Sequence, residues 1–222
     1  MCLAIITARL GSKRLKLKNI KNFFGKPVIS YPIKACLKSN IFDKVVVSTE
    51  SKLISRISNK YNAEVPFLRS KKFADDKTGT SKLMRYLIKK MRIPKNKVIC
   101  CIYPVTPLLT PKLLEKSLKI FTKSKCKFLI PIQKANKLDR KKFQLDNKNV
   151  IVNNNNTKKY YKDSGQFYFG TADSFLKNKS IIFSGLSKGL IISKNTAVDV
   201  NTIEDWKKLK KNYQKLNNKK YA

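Results

Sequence analysis

Leu3-Ala4-Ile5-Ile6-Thr7-Ala8-Arg9-Leu10-Gly11-Ser12-Lys13-Arg14-Leu15-Lys16-Leu17-Lys18-Asn19 is the stretch on which the reading of the chain turns. Its apolar run from Leu3 to Thr7 has the length and bounds of a buried strand, and it empties into a loop with one glycine, one serine and five cations. A strand feeding such a loop can present backbone N–H groups and cations to a polyphosphate. Gly11 and Ser12 suit a sharp turn, while Arg9, Lys13 and Lys18 can reach phosphate oxygens from several sides. Lysine is so frequent in this chain that a solvated basic face fits the same residues. Arginine weighs toward the phosphate reading: only seven of the 50 basic residues are arginine, and Arg9 and Arg14 both fall here. The loop lacks both the Walker A pattern and GxGxxG.

Working outward, Phe23-Phe24-Gly25-Lys26-Pro27-Val28 predicts a turn and a helix start with Pro27 near the first helical position, the helix running from Val28 to Ser39. The β-branched run from Asp43 to Thr49 predicts a doubly buried strand, and Ser48-Thr49-Glu50-Ser51 predicts a cap for a short helix through Ile54, Ile57 and Ser58. Ala63 to Arg69 predicts a third strand. Asp75, Asp76 and Thr78 can cap a helix through Leu83, Leu87 and Met91. Val98 to Tyr103 is the most continuous buried strand, and in an open parallel sheet its carboxyl end, Tyr103 to Thr106, should line a cleft; Tyr103 also suits a half-buried anchor. Pro111 opens a helix through Leu114, Leu118 and Phe121, and Phe128 to Ile132 is another strand. The alternation predicts a Rossmann-like α/β fold, a mostly parallel sheet flanked by helices, in a single domain over 1–222.

From Lys134 to Lys162 the composition turns polar, with a hairpin signal between Phe143-Gln144-Leu145 and Val150-Ile151-Val152 and a low-complexity loop at Asn153 to Asn156. Asp163-Ser164-Gly165-Gln166-Phe167-Tyr168 leads a polar cluster into aromatics, able to bond hydroxyls and stack on a sugar, or else a turn into an edge strand. Asp199 precedes a final helix starting near Thr202, with Trp206, Leu209, Tyr213 and Leu216 as its apolar stripe; there Asp199 can serve a ligand or the helix dipole.

Composition excludes several classes. The chain has no histidine, which removes imidazole-based triads and histidine-ligated metals. Its five cysteines show no CxxC spacing and predict reduced thiols of a cytoplasmic protein. No apolar run approaches membrane-spanning length, so no membrane partner is expected. The net charge of +37 would suit a polyanion binder, yet lysine dominates over arginine, as biased codon usage would produce, and no dedicated nucleic-acid partner is expected.

The first stretch, with Lys18-Asn19-Ile20, closely resembles the first motif of the CMP-sugar synthetases, nucleotidyltransferases that activate sialic, legionaminic and pseudaminic acids with CTP. Pro104-Val105-Thr106-Pro107-Leu108 and Asp163-Ser164-Gly165-Gln166-Phe167-Tyr168-Phe169-Gly170 resemble later motifs, and the likeness is greatest to the pseudaminic acid branch. Glu50 departs from the family's usual aspartate, and Asn201 stands where members often carry a second aspartate. The resemblance implies a nucleotide site at Ala8, Arg9, Gly11, Ser12, Lys13, Lys18, Asn19, Arg69, Asp76 and Thr80, with Arg9, Lys13, Lys18 and Asp199 carrying the chemistry. It further implies sugar contacts from Tyr103, Thr106, Ser164, Gln166 and Tyr168, and Mg²⁺ held by Asp199 and, more weakly, Asn201. CTP and a nonulosonic acid, most closely pseudaminic acid, are the implied substrates, and the polar excursion at about 134–170 the implied site of homodimerisation. Legionaminic acid, N-acetylneuraminic acid and Kdo stay open as acceptors, as does a non-catalytic polyanion-binding role.

Overall fold

The computed structural model describes residues 2–75, 77–139, 142–152, 158–182 and 185–218. In chain order these form β1 (Cys2–Thr7), a hairpin of β2 (Asn22–Phe23) and β3 (Lys26–Pro27), α1 (Ser30–Lys38), β4 (Phe42–Ser48), α2 (Lys52–Lys60), α3 (Thr80–Lys90), β5 (Val98–Ile102), α4 (Pro111–Lys123) and β6 (Phe128–Ala135). There follow a second hairpin of β7 (Gln144–Leu145) and β8 (Ile151–Val152), then β9 (Tyr160–Asp163), β10 (Phe167–Thr171), α5 (Ala172–Lys177), β11 (Ser187–Ile191) and α6 (Ile203–Asn218).

Alternation along β1 divides the core. Cys2, Ala4 and Ile6 turn to one face, where α1, α2 and α4 bring Ile33, Ile54 and Leu114. Leu3 and Ile5 turn to the other, against Leu83, Met84 and Leu87 of α3 and Phe175 of α5. Both faces of β1 are therefore buried, as its continuous apolar run requires. The main sheet runs β11-β6-β10-β5-β1-β4, with β9 on β6. β1 is parallel to β4 and β5, β11 is parallel to β6, and β10 is antiparallel to both of its neighbours. This is the mostly parallel α/β architecture that the sequence predicts.

A third apolar cluster lies at one end of the sheet. Leu15, Phe23, Val28, Val105, Val198, Val200, Trp206 and Leu209 pack together there. Phe23 is fully buried and meets Trp206 and Tyr213 edge-on, at ring centroid distances of 5.5 and 5.1 Å. This cluster docks α6 beside the loop after β1 and so carries the 198–201 segment to the carboxyl ends of the parallel strands.

Several local expectations are corrected. Pro27 is in β3, paired with Asn22, and α1 starts three residues later, at Ser30. The piece from Ala63 to Arg69, whose alternate residues are exposed, makes only isolated bridges among the described residues, Glu64 to Val46 of β4 and Leu68 to Thr49 just past it. Asp75 does not cap α3: its carboxylate accepts from Lys77 N and Thr78 N in its own turn, and α3 starts after Gly79 with no side-chain cap. β10 is interior to the sheet, where Gly170 admits Phe128; a Cβ there would fall 2.7 Å from that ring. The predicted hairpin forms as β7 and β8, while the loop at Asn153 to Asn156 lies outside the described residues. The caps Ser51 and Thr202 are in place, and Thr110, just before Pro111, caps α4. All five cysteines are free, and burial pushes the Cys2 and Cys101 thiols up to about 12.

Candidate active site

The carboxyl ends of β1, β4 and β5 reach the same edge of the sheet, and β10, running antiparallel, brings its amino end there. A cavity of about 340 Å³ opens at that edge. Arg9, Ser12, Lys18, Asn19 and Arg69 line one side, Thr80, Tyr103, Asp163 and Tyr168 another, and Asp199 and Asn201 a third. Arg9 and Asp199, 190 positions apart in sequence, thus share one cavity.

The basic loop is held by its backbone. Ala8 N donates to Ser48 O at 3.0 Å, continuing the β1–β4 ladder, and Asn19 Nδ2 donates to Arg9 O at 2.7 Å. Leu10 N donates to Glu50 Oε1 at 2.7 Å, and Glu50 Oε2 pairs with Arg69 Nη2 at 3.3 Å. Arg69 is 4% exposed and also donates to Ser48 O at 3.1 Å; its Nε is buried without a partner among the described residues. Burial lowers the Arg69 pKa, against the pull of Glu50. Arg9 donates to Ala74 O through Nη1 at 3.4 Å, which ties the loop to a segment that lines the cavity through Phe73 and Asp75.

Two bonds join the loop to the 198–201 segment. Lys18 Nζ donates to Val200 O at 2.6 Å, and Arg14 Nη2 donates to Asn201 Oδ1 at 2.7 Å. Burial lowers the Lys18 pKa, with the nearby Asp199 acting in the opposite sense. Asp199 is exposed to the cavity and accepts from Asn201 Nδ2 at 3.0 Å. The α6 cap is made by Thr202 and Asp205, so Asp199 is not spent on the helix end.

The opposite wall is a run of hydroxyls ending on an acid. Thr80 Oγ1 and Tyr103 Oη lie 2.7 Å apart, Tyr103 Oη and Tyr168 Oη 3.4 Å apart, and Tyr168 Oη bonds Asp163 Oδ2. Asp163 Oδ1 accepts from Gly165 N at 2.9 Å. Burial raises the Asp163 pKa, opposed by these two donors, and pushes the Tyr103 hydroxyl up to about 12. Gly165 has φ of 63°, and a Cβ there would meet Asp199 Cβ and Cγ at 3.3 Å, so the bend supporting Asp163 also abuts Asp199.

Other expected residues are near the cavity but do not line it among the described residues: Ala8, Gly11, Lys13, Thr106, Ser164 and Gln166. Thr106 is buried and bonds Tyr103 O at 2.9 Å, Ser164 bonds Pro131 O at 2.7 Å, and Gln166 turns back on Ser164 O at 3.3 Å. Gly11 is exposed with open space around it and does not have a left-handed φ; the left-handed residue of this loop is Leu17, at 54°. Asp76 lies outside the described residues. Sequence reasoning did not single out Glu50 as a site residue, and it took in Arg14, Asp163 and Gly165 only as members of the basic loop and of the polar cluster before the aromatics. The Asp-x-Gly spacing of the last pair is the signal of an Asx turn; nothing local marks Glu50 as a two-ended acceptor.

A family model described as "Cytidylyltransferase" matches residues 3–221. The chain is 35% identical over 215 residues to the pseudaminic acid cytidylyltransferase of Campylobacter jejuni subsp. jejuni serotype O:2, covering 91% of this chain and 92% of that protein. It is 30% identical to the CMP-N,N'-diacetyllegionaminic acid synthase of Legionella pneumophila, covering 92% of each. Among solved structures, a CMP:2-keto-3-deoxy-manno-octonic acid synthetase complexed with CTP superposes with a TM-score of 0.77 at 14% identity, over 96% of this chain and 98% of that one, a likeness of fold.

Proposed function

The chain belongs to the cytidylyltransferase family, and from that premise we propose that it transfers CMP from CTP to the anomeric hydroxyl of a nonulosonic acid, most closely pseudaminic acid, releasing pyrophosphate. The observation that carries the proposal is the shared cavity: Arg9, Ser12, Lys18 and Asp199 line it together with Thr80, Tyr103 and Tyr168, whose run of hydroxyls ends on Asp163. A polyanion and a polyhydroxylated acceptor need such different walls. Pseudaminic acid leads among acceptors because the relatives named for it share more residues with this chain than the legionaminic relative does.

The acceptor oxygen attacks the α-phosphorus, its bond to phosphorus forms as the bond to the pyrophosphate oxygen breaks, and the hydroxyl proton leaves to a carboxylate or water. Arg9, Lys18 and the nearby Lys13 stabilise charge on the phosphates, and the backbone ties from Glu50 and Asn19 hold the loop in place for that task. Mg²⁺ fits a limited part of the site. Asp199 offers an exposed carboxylate, the Asn201 oxygen is taken by Arg14, and the described residues contain no cluster of three acidic or thiol ligands. Asp199 would hold the ion together with substrate phosphates and water, as Mg²⁺ accepts, and the bound ion would supply charge neutralisation at the triphosphate.

The same reading places the enzyme in the cytoplasm, where CTP is available, and pairs two copies through the excursion, whose Leu138 is 93% exposed. Among the described residues no helix is long and apolar enough to cross a membrane. Pyrophosphate release from CTP and pseudaminic acid tests the assignment: Arg9→Ala and Asp199→Ala should each lower kcat about 10²- to 10³-fold with unchanged circular dichroism. Near wild-type turnover in either variant removes the role given to that residue.

A further inference from the structure

We propose that Asn201 is a positioning residue that sets the charge beside Asp199. Its amide holds the Arg14 guanidinium next to that acid without neutralising it, so the chain takes a divalent cation only together with the triphosphate. The inference rests on the nucleotidyl-transfer reading above and adds why the protein leaves its own metal site incomplete.

Two hydrogen bonds of fixed direction carry it. A guanidinium has donors only, so the Asn201 atom 2.7 Å from Arg14 Nη2 is the amide oxygen. The amide nitrogen then faces the other way and donates to Asp199 Oδ2 at 3.0 Å. Turned over, the amide would set donor against donor and acceptor against acceptor.

The backbone brings these groups together. Buried Val198 and Val200 alternate with Asp199 and Asn201, which puts the two polar side chains on one face. Leu15 of the basic loop packs in the same apolar cluster as Val198 and Val200 and so carries its neighbour Arg14 to that face. Asn201 N and Thr202 N both donate to Asp205 Oδ2 at 2.9 Å, and Lys18 Nζ holds Val200 O at 2.6 Å. Burial lowers the Lys18 pKa, Asp199 opposes it, and Arg14 and Arg9 add to the lowering, so the guanidinium charge is felt in the cavity.

A carboxylate at position 201 would also accept from Arg14, but it would cancel that charge and stand beside Asp199 as a second anionic ligand. Two carboxylates facing one space hold a divalent ion by themselves, since affinity rises with the charge of the ligand set. The amide instead leaves one carboxylate, its Oδ2 already shared, beside a guanidinium that repels an incoming cation. A triphosphate reverses the balance, because it brings oxygen ligands for the ion and counter-charge for Arg14 at once.

The experiment titrates Mn²⁺ alone into the nucleotide-free protein, reads the bound ion by electron paramagnetic resonance, and then measures the CTP KM of the same samples. Asn201→Asp should bind Mn²⁺ about tenfold tighter than wild type. Arg14→Ala removes the repelling charge and frees Asn201 Oδ1, and should bind it several-fold tighter; the double variant should bind tightest. Despite its better grip on the ion, Asn201→Asp should raise the CTP KM about 5- to 10-fold, because Arg14 is then neutralised. A merely structural role would not move the two readouts in opposite senses. In the Arg14→Ala background, Asn201→Asp should add little to the CTP KM. A Mn²⁺ affinity within about twofold of wild type in either single variant, or a CTP KM that falls in Asn201→Asp, overturns the inference. If Asn201→Asp does not fold, unchanged Mn²⁺ affinity in Arg14→Ala overturns it equally. The Mn²⁺ titration contains neither nucleotide nor acceptor, so it judges the Asn201 bridge by itself, whereas wild-type enzyme that releases no pyrophosphate with any nonulosonic acid overturns the function.

Discussion

Replacing Glu50 with alanine should weaken the whole molecule before it weakens any chemistry. Its carboxylate accepts from Leu10 N at 2.7 Å and pairs with Arg69 at 3.3 Å, where the arginine side chain is 2% and the glutamate side chain 13% exposed. Removing one member of a buried pair costs about 3–5 kcal/mol, chiefly because the remaining charge stays buried alone. The residual exposure of Glu50 puts the expected loss near the lower end, about 3 kcal/mol. For a chain of this size each kcal/mol moves Tm by about 2–4 °C, so Glu50→Ala should melt about 6–12 °C below wild type. Since the same carboxylate anchors the backbone of the basic loop, the CTP KM should rise as well. Differential scanning calorimetry supplies the first number and initial rates the second. A companion variant sharpens the logic: Glu50→Ala with Arg69→Met removes both charges and should melt closer to wild type than Glu50→Ala alone. A single variant within about 2 °C of wild type, or a double variant less stable than the single, would refute the claim that a buried ion pair holds this loop.

Two further outcomes follow from the 198–201 segment. Gly165→Ala forces a side chain into a left-handed conformation at φ of 63° and against Asp199, so Tm should fall with a strain of about 1–2 kcal/mol, and kcat should drop as the acid is displaced; a variant unchanged in both measurements denies the packing of this bend on Asp199. Chelation should abolish turnover and added Mg²⁺ restore it, while Mg²⁺ alone should leave Tm unmoved and shift it only with CTP present, because a lone exposed carboxylate binds the ion weakly without phosphate oxygens; a Tm shift by Mg²⁺ alone points to a protein-held metal.

Much of this fold is written in short-range patterns. The run from Leu3 to Thr7 is apolar at every step because both faces of β1 are covered, and Pro111 after Thr110 starts α4 where helix chemistry says it must. The failures have local causes. Pro27 suits a helix's first turn and an edge strand alike, and only pairing with Asn22 decides between them. The segment from Phe167 could not be placed at the edge or the interior from its own residues, since the strands on either side come from positions 98–102 and 128–135. The site shows the same division. Arg9, Ser12, Lys18 and Asn19 were legible as a basic turn after a strand. Glu50 and Arg14 take their roles from partners 40 and 187 positions away, and that information is in the topology alone, whereas Asp163 bonds Gly165 and Tyr168, two and five positions on.

The account rests on CTP and a nonulosonic acid meeting in one cavity. The direct measurement is product formation by mass spectrometry when the purified chain is given CTP, Mg²⁺ and either pseudaminic acid or N-acetylneuraminate. The account predicts a CMP-linked pseudaminic acid, formed with stoichiometric pyrophosphate and faster than the N-acetylneuraminate product. CTP left intact with both acids, under conditions where the chain is folded, would contradict it.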